Sequence, residues 1–205
     1  MNKNILVIGN GIDILENEYG TIIDNNFCNI IRCNKAPITD YEKYVGSKTN
    51  NRVTYSGLLK NITKIFPSEK NILISIPNFK IQQFRHYLRI SKSLKKNNID
   101  IEIKITTREF MLEIYENYQI INPSVGFVAL YYFSEKFKKK IYYIGFDGYS
   151  NEKSHYYHKK ETNKVNNFHR KNANTFHNIK KENEVLDKFK NNILIHLKYF
   201  KENKK

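Results

Sequence analysis

Acidic residues are scarce in this chain. Its 205 residues include 20 Asp and Glu against 35 Lys and Arg, a formal net charge of +15. Such an excess points to an anionic partner: nucleic acid, a membrane surface or a phosphorylated substrate. The abundance of Lys, Asn and Ile also fits AT-rich coding sequence, which accounts for charge without function. The excess is uneven. Residues 159–205 hold 13 Lys and Arg and 5 Asp and Glu, so +8 of the +15 lies there. Cysteine is scarcer still. Cys28 and Cys33 are the two present, five residues apart in what reads as one strand, so their side chains point to opposite sides. A disulfide within one extended strand is geometrically poor, and no CxxC pair or zinc-ligand spacing exists. Reduced thiols and a cytoplasmic setting are expected. Long hydrophobic runs are missing: Ile5–Ile8 leads straight into glycine, and nothing approaches the ~18 apolar residues of a membrane-spanning helix. No internal repeat and no linker divides the chain, so residues 1–205 read as one domain with a basic tail at about 190–205.

Hydrophobic residues make up 40% of the chain and aromatics 14%, which suffices for a packed core. The patterning alternates. Ile5–Ile8 reads as a buried strand, followed by strands at residues 27–32, 71–76, 99–105 and 141–144. Helices are expected at 79–96, 106–118, 123–137 and 173–189, with residues 192–200 a last strand or short helix. Residues 147–172 read as a polar loop. Strands alternating with helices predict an α/β fold, an α/β/α sandwich of Rossmann-like type around a mostly parallel sheet.

Four segments carry candidate chemistry. Gly9-Asn10-Gly11 follows a strand, where glycine lets backbone approach a ligand; without a third glycine it is no dinucleotide fingerprint, and alone it reads as a turn. Pro123-Ser124-Val125-Gly126 opens a helix, whose free N–H groups favour an anion, or form an ordinary capped start. Ser154-His155-Tyr156-Tyr157-His158 places two histidines and two tyrosines in a loop. His169 and His177 share no metal-ligand spacing with them, and no Asp-x-Asp pair is present, so no metal site is expected. His177 precedes Glu182 by five residues, and histidine suits general-base work near neutral pH. His86 and His196 read as structural.

Taken in order, these segments resemble the sialylmotifs of the animal-type sialyltransferases, glycosyltransferase family 29. Gly9-Asn10-Gly11, Arg32-Cys33-Asn34-Lys35-Ala36-Pro37 and Val45-Gly46-Ser47-Lys48-Thr49 resemble the large motif, in a form similar to α2,8-linking members. Pro123-Ser124-Val125-Gly126 with Tyr143-Ile144-Gly145-Phe146 resembles the small motif, His155-Tyr156-Tyr157 the third, and His177 through Glu182 the very small one.

The resemblance implies a variant of the GT-A sialyltransferase fold and an inverting transfer from CMP-sialic acid to a glycan hydroxyl. No metal and no cofactor beyond the CMP-sugar substrate are implied. It assigns the CMP donor to Asn10, Asn34, Ser124, Val125, Gly126, Phe146, Asp147, Ser154 and His155. His155 would meet the donor phosphate and His177 would be the general base, with Gly9, Gly11, Tyr156 and Glu182 in support. Val125 stands where the family usually has Thr, Tyr44 where it has Asp, and Asp147 where α2,8 enzymes often have Trp. The family's disulfide positions match Ile5 and Lys138, consistent with a reducing compartment. A bacterial enzyme acting on lipooligosaccharide or capsule is expected, in the cytoplasm or peripheral on the inner membrane through its basic C-terminus. Two alternatives stand beside it: a transferase for another CMP-activated acid sugar such as Kdo, or a non-catalytic CMP- or glycan-binding relic. Nucleic acid is not an expected partner: it would need stacking aromatics interleaved with the basic region, and cytidine specificity would then have no purpose.

Overall fold

The structure is a computed structural model that describes residues 4–55, 57–58, 71–75, 81–97, 100–147, 155–157, 177–189 and 193–200. Seven parallel strands are seen among the described residues: β1 (Ile5–Ile8), β2 (Asn29–Cys33), β3 (Asn51–Tyr55), β4 (Asn71–Ser75), β5 (Glu102–Ile105), β6 (Ile141–Ile144) and β7 (Leu194–His196). They form one sheet in the order β5-β4-β3-β2-β1-β6-β7. β1 pairs with β2 on one side and with β6 on the other, so the strand order reverses at β1. In such a sheet a crevice opens beyond the carboxyl ends of the strands at the reversal, and ligands bind there.

Among the described residues six α-helices cover the sheet: α1 (Gly20–Asn26), α2 (Glu42–Val45), α3 (Ile81–Lys96), α4 (Arg108–Tyr118), α5 (Val125–Phe137) and α6 (Ile179–Phe189). Alternation of side chains along each strand divides the core in two. Ile5, Val7, Ile31, Val53 and Leu73 face α4, α5 and α6. Leu6, Ile8, Ile30 and Ile144 face α1 and α2, while Ile72 and Ile74 face α3. The result is the expected three-layer α/β/α sandwich. Helix α5 crosses β2, β3 and β6, and Phe127, Val128, Ala129, Leu130, Tyr131 and Phe133 are buried along it. A helix apolar on nearly every side belongs in such a central position.

Several boundaries differ from the sequence reading. α5 starts at Val125, two residues late, because Ser124 caps it: the Ser124 hydroxyl accepts from the Phe127 N–H at 3.1 Å. α6 starts at Ile179, because the Asn178 side chain accepts from the Lys181 N–H at 3.1 Å. His177 therefore lies before that helix and not on it. Strand β3 and helices α1 and α2 were not expected. Cys28 is exposed just before β2 and Cys33 is buried within it; both are free. Within the apolar run at 193–200, Leu194 and Leu197 are buried and Phe200 packs on Phe27 and Tyr142, while Tyr199 is exposed. Among the described residues no helix is long and apolar enough to cross a membrane.

Candidate active site

The turn after β1 and the turn after β6 lock together at the reversal point. Gly9 N–H donates to the Ile144 carbonyl at 2.8 Å and Gly11 N–H to the Gly145 carbonyl at 2.7 Å. A Cβ on Gly9 would sit 2.1 Å from the Gly145 carbonyl oxygen, so only glycine fits. Two carboxylates complete a reciprocal clasp. Asp13, after β1, accepts from the Gly145 N–H at 3.2 Å. Asp147, after β6, accepts from the Ile12 N–H at 3.0 Å. Asp13 also meets His196 Nε2 at 3.3 Å. The Lys198 N–H donates to His196 Nδ1, so the proton of the neutral ring is on Nε2 and is given to Asp13. His196 is thus a structural group, as its setting in the sequence indicated.

The Phe146 ring is the wedge between motifs. It lies against Gly9 on one side and Gly126 on the other; a Cβ at either would come within about 3.0 Å of it. This ring therefore brings the turn after β1 to the start of α5. Asn10 is 8% exposed, and its Nδ2 donates to the Cys33 carbonyl at 3.2 Å. Its Oδ1 is buried with no hydrogen-bond partner. An acceptor left so costs free energy that a donor on a ligand recovers.

The large-motif segment after β2 is bonded internally. Arg32 is fully buried, and its guanidinium donates to the carbonyls of Val45, Gly46 and Lys48 and to Thr49 Oγ1. Asp24 accepts from the Ser47 N–H and hydroxyl and from the Lys48 N–H. Asn34 turns the chain at φ 52°, a left-handed conformation that Asn tolerates better than most residues. The buried Arg52 holds that turn by donating to the Asn34 and Lys35 carbonyls at 2.7 and 2.9 Å. Arg52 was missed in the sequence because β3 was missed; the alternation in Arg52-Val53-Thr54-Tyr55 was the available signal.

His155-Tyr156-Tyr157 packs onto the same turns. Tyr156 N–H donates to the Asn10 carbonyl at 3.0 Å, and its hydroxyl donates to the Pro37 carbonyl at 2.6 Å. Burial pushes the Tyr156 hydroxyl pKa up and keeps it protonated. His155 is half-buried and stacks on Tyr157, with ring centroids 5.3 Å apart. Ser154 and His158 lie outside the described residues.

The start of α5 and the segment before α6 form the other wall. Glu182 is 3% exposed and grips Ser124 with both oxygens: Oε1 accepts from its N–H at 2.7 Å, Oε2 from its hydroxyl at 2.5 Å. Burial raises the Glu182 pKa to about 7 against the opposing pull of those bonds. The Ser124 hydroxyl donates to Glu182 and accepts from the Phe127 N–H within the fold. The N–H groups of Val125 and Gly126 are the first-turn donors the fold leaves over among the described residues. His177 Nδ1 lies 2.8 Å from the Asn122 carbonyl. A carbonyl only accepts, so Nδ1 carries the proton and Nε2 of the neutral ring carries the lone pair. Among the described residues no three His, Cys, Asp or Glu side chains cluster to hold a metal ion.

All four motif segments thus converge on the carboxyl ends of β1, β2 and β6. The family model for glycosyltransferase family 29 (sialyltransferase) matches residues 3–193. The chain belongs to this family. An 84-residue stretch, 40% of the chain, is 32% identical to sialyltransferase-like protein 1 of Arabidopsis thaliana, covering 18% of that protein. A stretch of the same length is 33% identical to the CMP-N-acetylneuraminate-beta-1,4-galactoside alpha-2,3-sialyltransferase of Rattus norvegicus, covering 21% of it. The matched stretch is thus about a fifth of each curated relative. Among solved structures, a mammalian sialyltransferase in complex with Gal-beta-1-3GalNAc-ortho-nitrophenol superposes with a TM-score of 0.65 at 20% identity. That match covers 96% of this chain and 69% of the other, which establishes the shared fold.

Proposed function

We propose that this family member is a sialyltransferase that moves sialic acid from CMP-sialic acid to a hydroxyl of a glycan, with inversion and without a metal ion. The convergence of the four motif segments at one crevice carries this reading. The acceptor oxygen attacks the anomeric carbon as the bond from that carbon to the CMP phosphate breaks. The hydroxyl proton passes to His177 Nε2, the ring nitrogen that the Asn122 contact leaves basic. CMP departs with the bonding pair on one phosphate. His155 and the Val125 and Gly126 N–H groups at the start of α5 stabilise it there. Asn10 Oδ1 accepts a hydrogen bond from the donor nucleoside, which relieves its burial without a partner. Asn34 and the Phe146 wedge complete the donor wall. The acceptor is a membrane-borne bacterial glycan, and galactose-terminated sugars are the first candidates, given the disaccharide bound by the mammalian structure.

Mass-spectrometric detection of CMP release tests the reading. CMP-sialic acid and a panel of other CMP-activated acid sugars are offered with galactose- and sialic-acid-terminated acceptors, in the presence and absence of EDTA. Acceptor-dependent release that survives EDTA and is abolished by His177→Ala is expected, with CMP binding retained. Full release by His177→Ala overturns the base assignment, and loss in EDTA overturns the metal-free mechanism.

A further inference from the structure

Helix α3 carries a stripe of cations that neither its own stability nor the site explains. Its inner face, Tyr87, Ile90 and Leu94, packs on Ile72, Ile74, Ile103 and Ile105 of β4 and β5. Its outer face presents Arg85, Leu88, Arg89, Lys92, Lys95 and Lys96, all exposed. Spacings of three and four residues put these side chains on one line along the helix. From Arg85 to Lys96 that line is about 16 Å long at the α-helical rise. No acidic residue occurs anywhere in the helix. None of the five cations makes an ion pair or side-chain hydrogen bond among the described residues.

Such a stripe works against the helix. Arg85 and Arg89, and Lys92 and Lys96, are like charges four apart and repel. Lys95 and Lys96 suit the negative end of the helix dipole, but Arg85 stands near its positive end, where a cation is unfavourable. An external anion relieves both penalties. Leu88 sits among the cations at 42% exposure. An apolar side chain there has no use against a phosphate backbone, but it seats at the headgroup–acyl boundary of a bilayer. Among the described side chains of this face no aromatic is exposed to stack on bases, since Tyr87 turns inward. The apolar run of the C-terminal segment is not available for this purpose, because Leu194, Leu197 and Phe200 are spent on the core.

We infer that the outer face of α3 is a docking surface for a bilayer containing anionic lipid. β4 ends at the sheet edge that holds the crevice, and α3 runs back from that edge. Docking along α3 lays the flank of the sheet on the membrane and keeps the crevice edge open to glycans standing on it. The inference does not depend on the transfer chemistry.

Co-sedimentation with vesicles tests it, using phosphatidylcholine alone and phosphatidylcholine with phosphatidylglycerol. The full chain is expected to bind only the anionic vesicles, and to be released by added salt. Arg89→Gln combined with Lys92→Gln is expected to weaken the partition coefficient about 25-fold, about fivefold for each charge near the surface. Its thermal melt is expected to equal or exceed that of the parent, because a repulsion is removed. A second variant neutralises Lys201, Lys204 and Lys205 of the basic tail and is expected to bind like the parent. Failure of the parent to bind anionic vesicles overturns the inference. So does unchanged binding by the α3 variant, or loss of binding confined to the tail variant. Binding to a DNA duplex in place of vesicles overturns the choice of lipid. CMP release from soluble substrates is read in parallel; its absence bears on the proposed reaction and leaves the vesicle result intact.

Discussion

Glu182 offers a test of how the two walls of the crevice are held together. Its carboxylate is the acceptor for both the N–H and the hydroxyl of Ser124, so it ties α6 to the start of α5. Burial raises its pKa from the ordinary 4.5 to about 7. Between those values the unfolded chain has released this proton while the folded chain still holds it. The folded state then binds more protons, so this group's contribution to stability falls as pH rises through the window. The full difference between the two limits is about 3 kcal/mol. Glu182→Gln keeps an acceptor for the Ser124 N–H, and its amide donates to the Ser124 oxygen, but it cannot ionise. Urea unfolding of both proteins at pH 4.5 and pH 8 isolates the effect. The stability of Glu182→Gln relative to the parent is expected to rise by about 3 kcal/mol between the two conditions. Glu182→Ala leaves the Ser124 donors without partners and is expected to cost about 2–5 kcal/mol at pH 4.5. A Gln-versus-Glu difference that stays flat with pH refutes the argument. So does one that shifts in favour of the parent at pH 8, since the carboxylate is then held by partners that outweigh its burial.

Gly9→Ala is expected to destabilise the fold by more than about 3 kcal/mol in chemical denaturation, because the neighbour its Cβ meets is a backbone carbonyl that cannot rotate away. Asn34→Ala is expected to weaken CMP binding in titration calorimetry. It also places alanine at φ 52°, at a cost of about 1 kcal/mol in stability. In the folded protein a maleimide is expected to modify Cys28 and spare Cys33, whose thiol burial pushes up to about 12; equal labelling refutes the placement of Cys33 in the core.

The loops of the crevice were readable in the sequence because their chemistry is local. Gly9, Gly145 and Pro123 punctuate the chain beside apolar runs. The layers were readable for the same reason: Ile5–Ile8 and Ile141–Ile144 are short, branched and unbroken. What stayed hidden depends on partners far away in the chain. β3 contains an arginine that looks solvent-facing and is buried, because carbonyls of the Asn34 turn accept its protons. Helix α1 opens with glycine and closes with two asparagines, and local propensity argues against it; burial of Ile23 against the sheet decides otherwise. The clasp between Asp13 and Asp147 joins turns more than 130 residues apart, and neither carboxylate stands in a pattern that announces it. Helix ends were misplaced by two residues at Ser124 and by more at Asn178, since a capping residue reads like the helix it precedes.

The division between committed and spare polar groups supports the proposed chemistry more closely than any single motif. Arg32, Arg52, Asp13, Asp24, Asp147, Tyr156, Ser124 and Glu182 are all paired within the fold, mostly to backbone, and so they fix where the turns stand. Among the groups those pairings do not use are the buried Asn10 oxygen, the Val125 and Gly126 N–H groups, and the lone pair of His177 Nε2; the buried Asp13 Oδ1 and Ser75 Oγ are also without a partner. An oxygen acceptor suits a nucleoside donor group, helix-start N–H groups suit a phosphate, and a neutral imidazole suits the proton of an attacking hydroxyl. The Asn10 oxygen, the helix-start N–H groups and the His177 lone pair each answer one requirement of the proposed displacement of CMP by an alcohol. Two clasps hold these groups in place. The pair Asp13 and Asp147 sets the turns after β1 and β6, and Glu182 ties α6 to the start of α5, with His177 just ahead of α6. Because the start of α5 carries the N–H groups proposed to meet the CMP phosphate, Glu182→Ala should weaken CMP binding in titration calorimetry and slow CMP release together. Slowed release with CMP binding unchanged would refute the placing of the phosphate at that helix start.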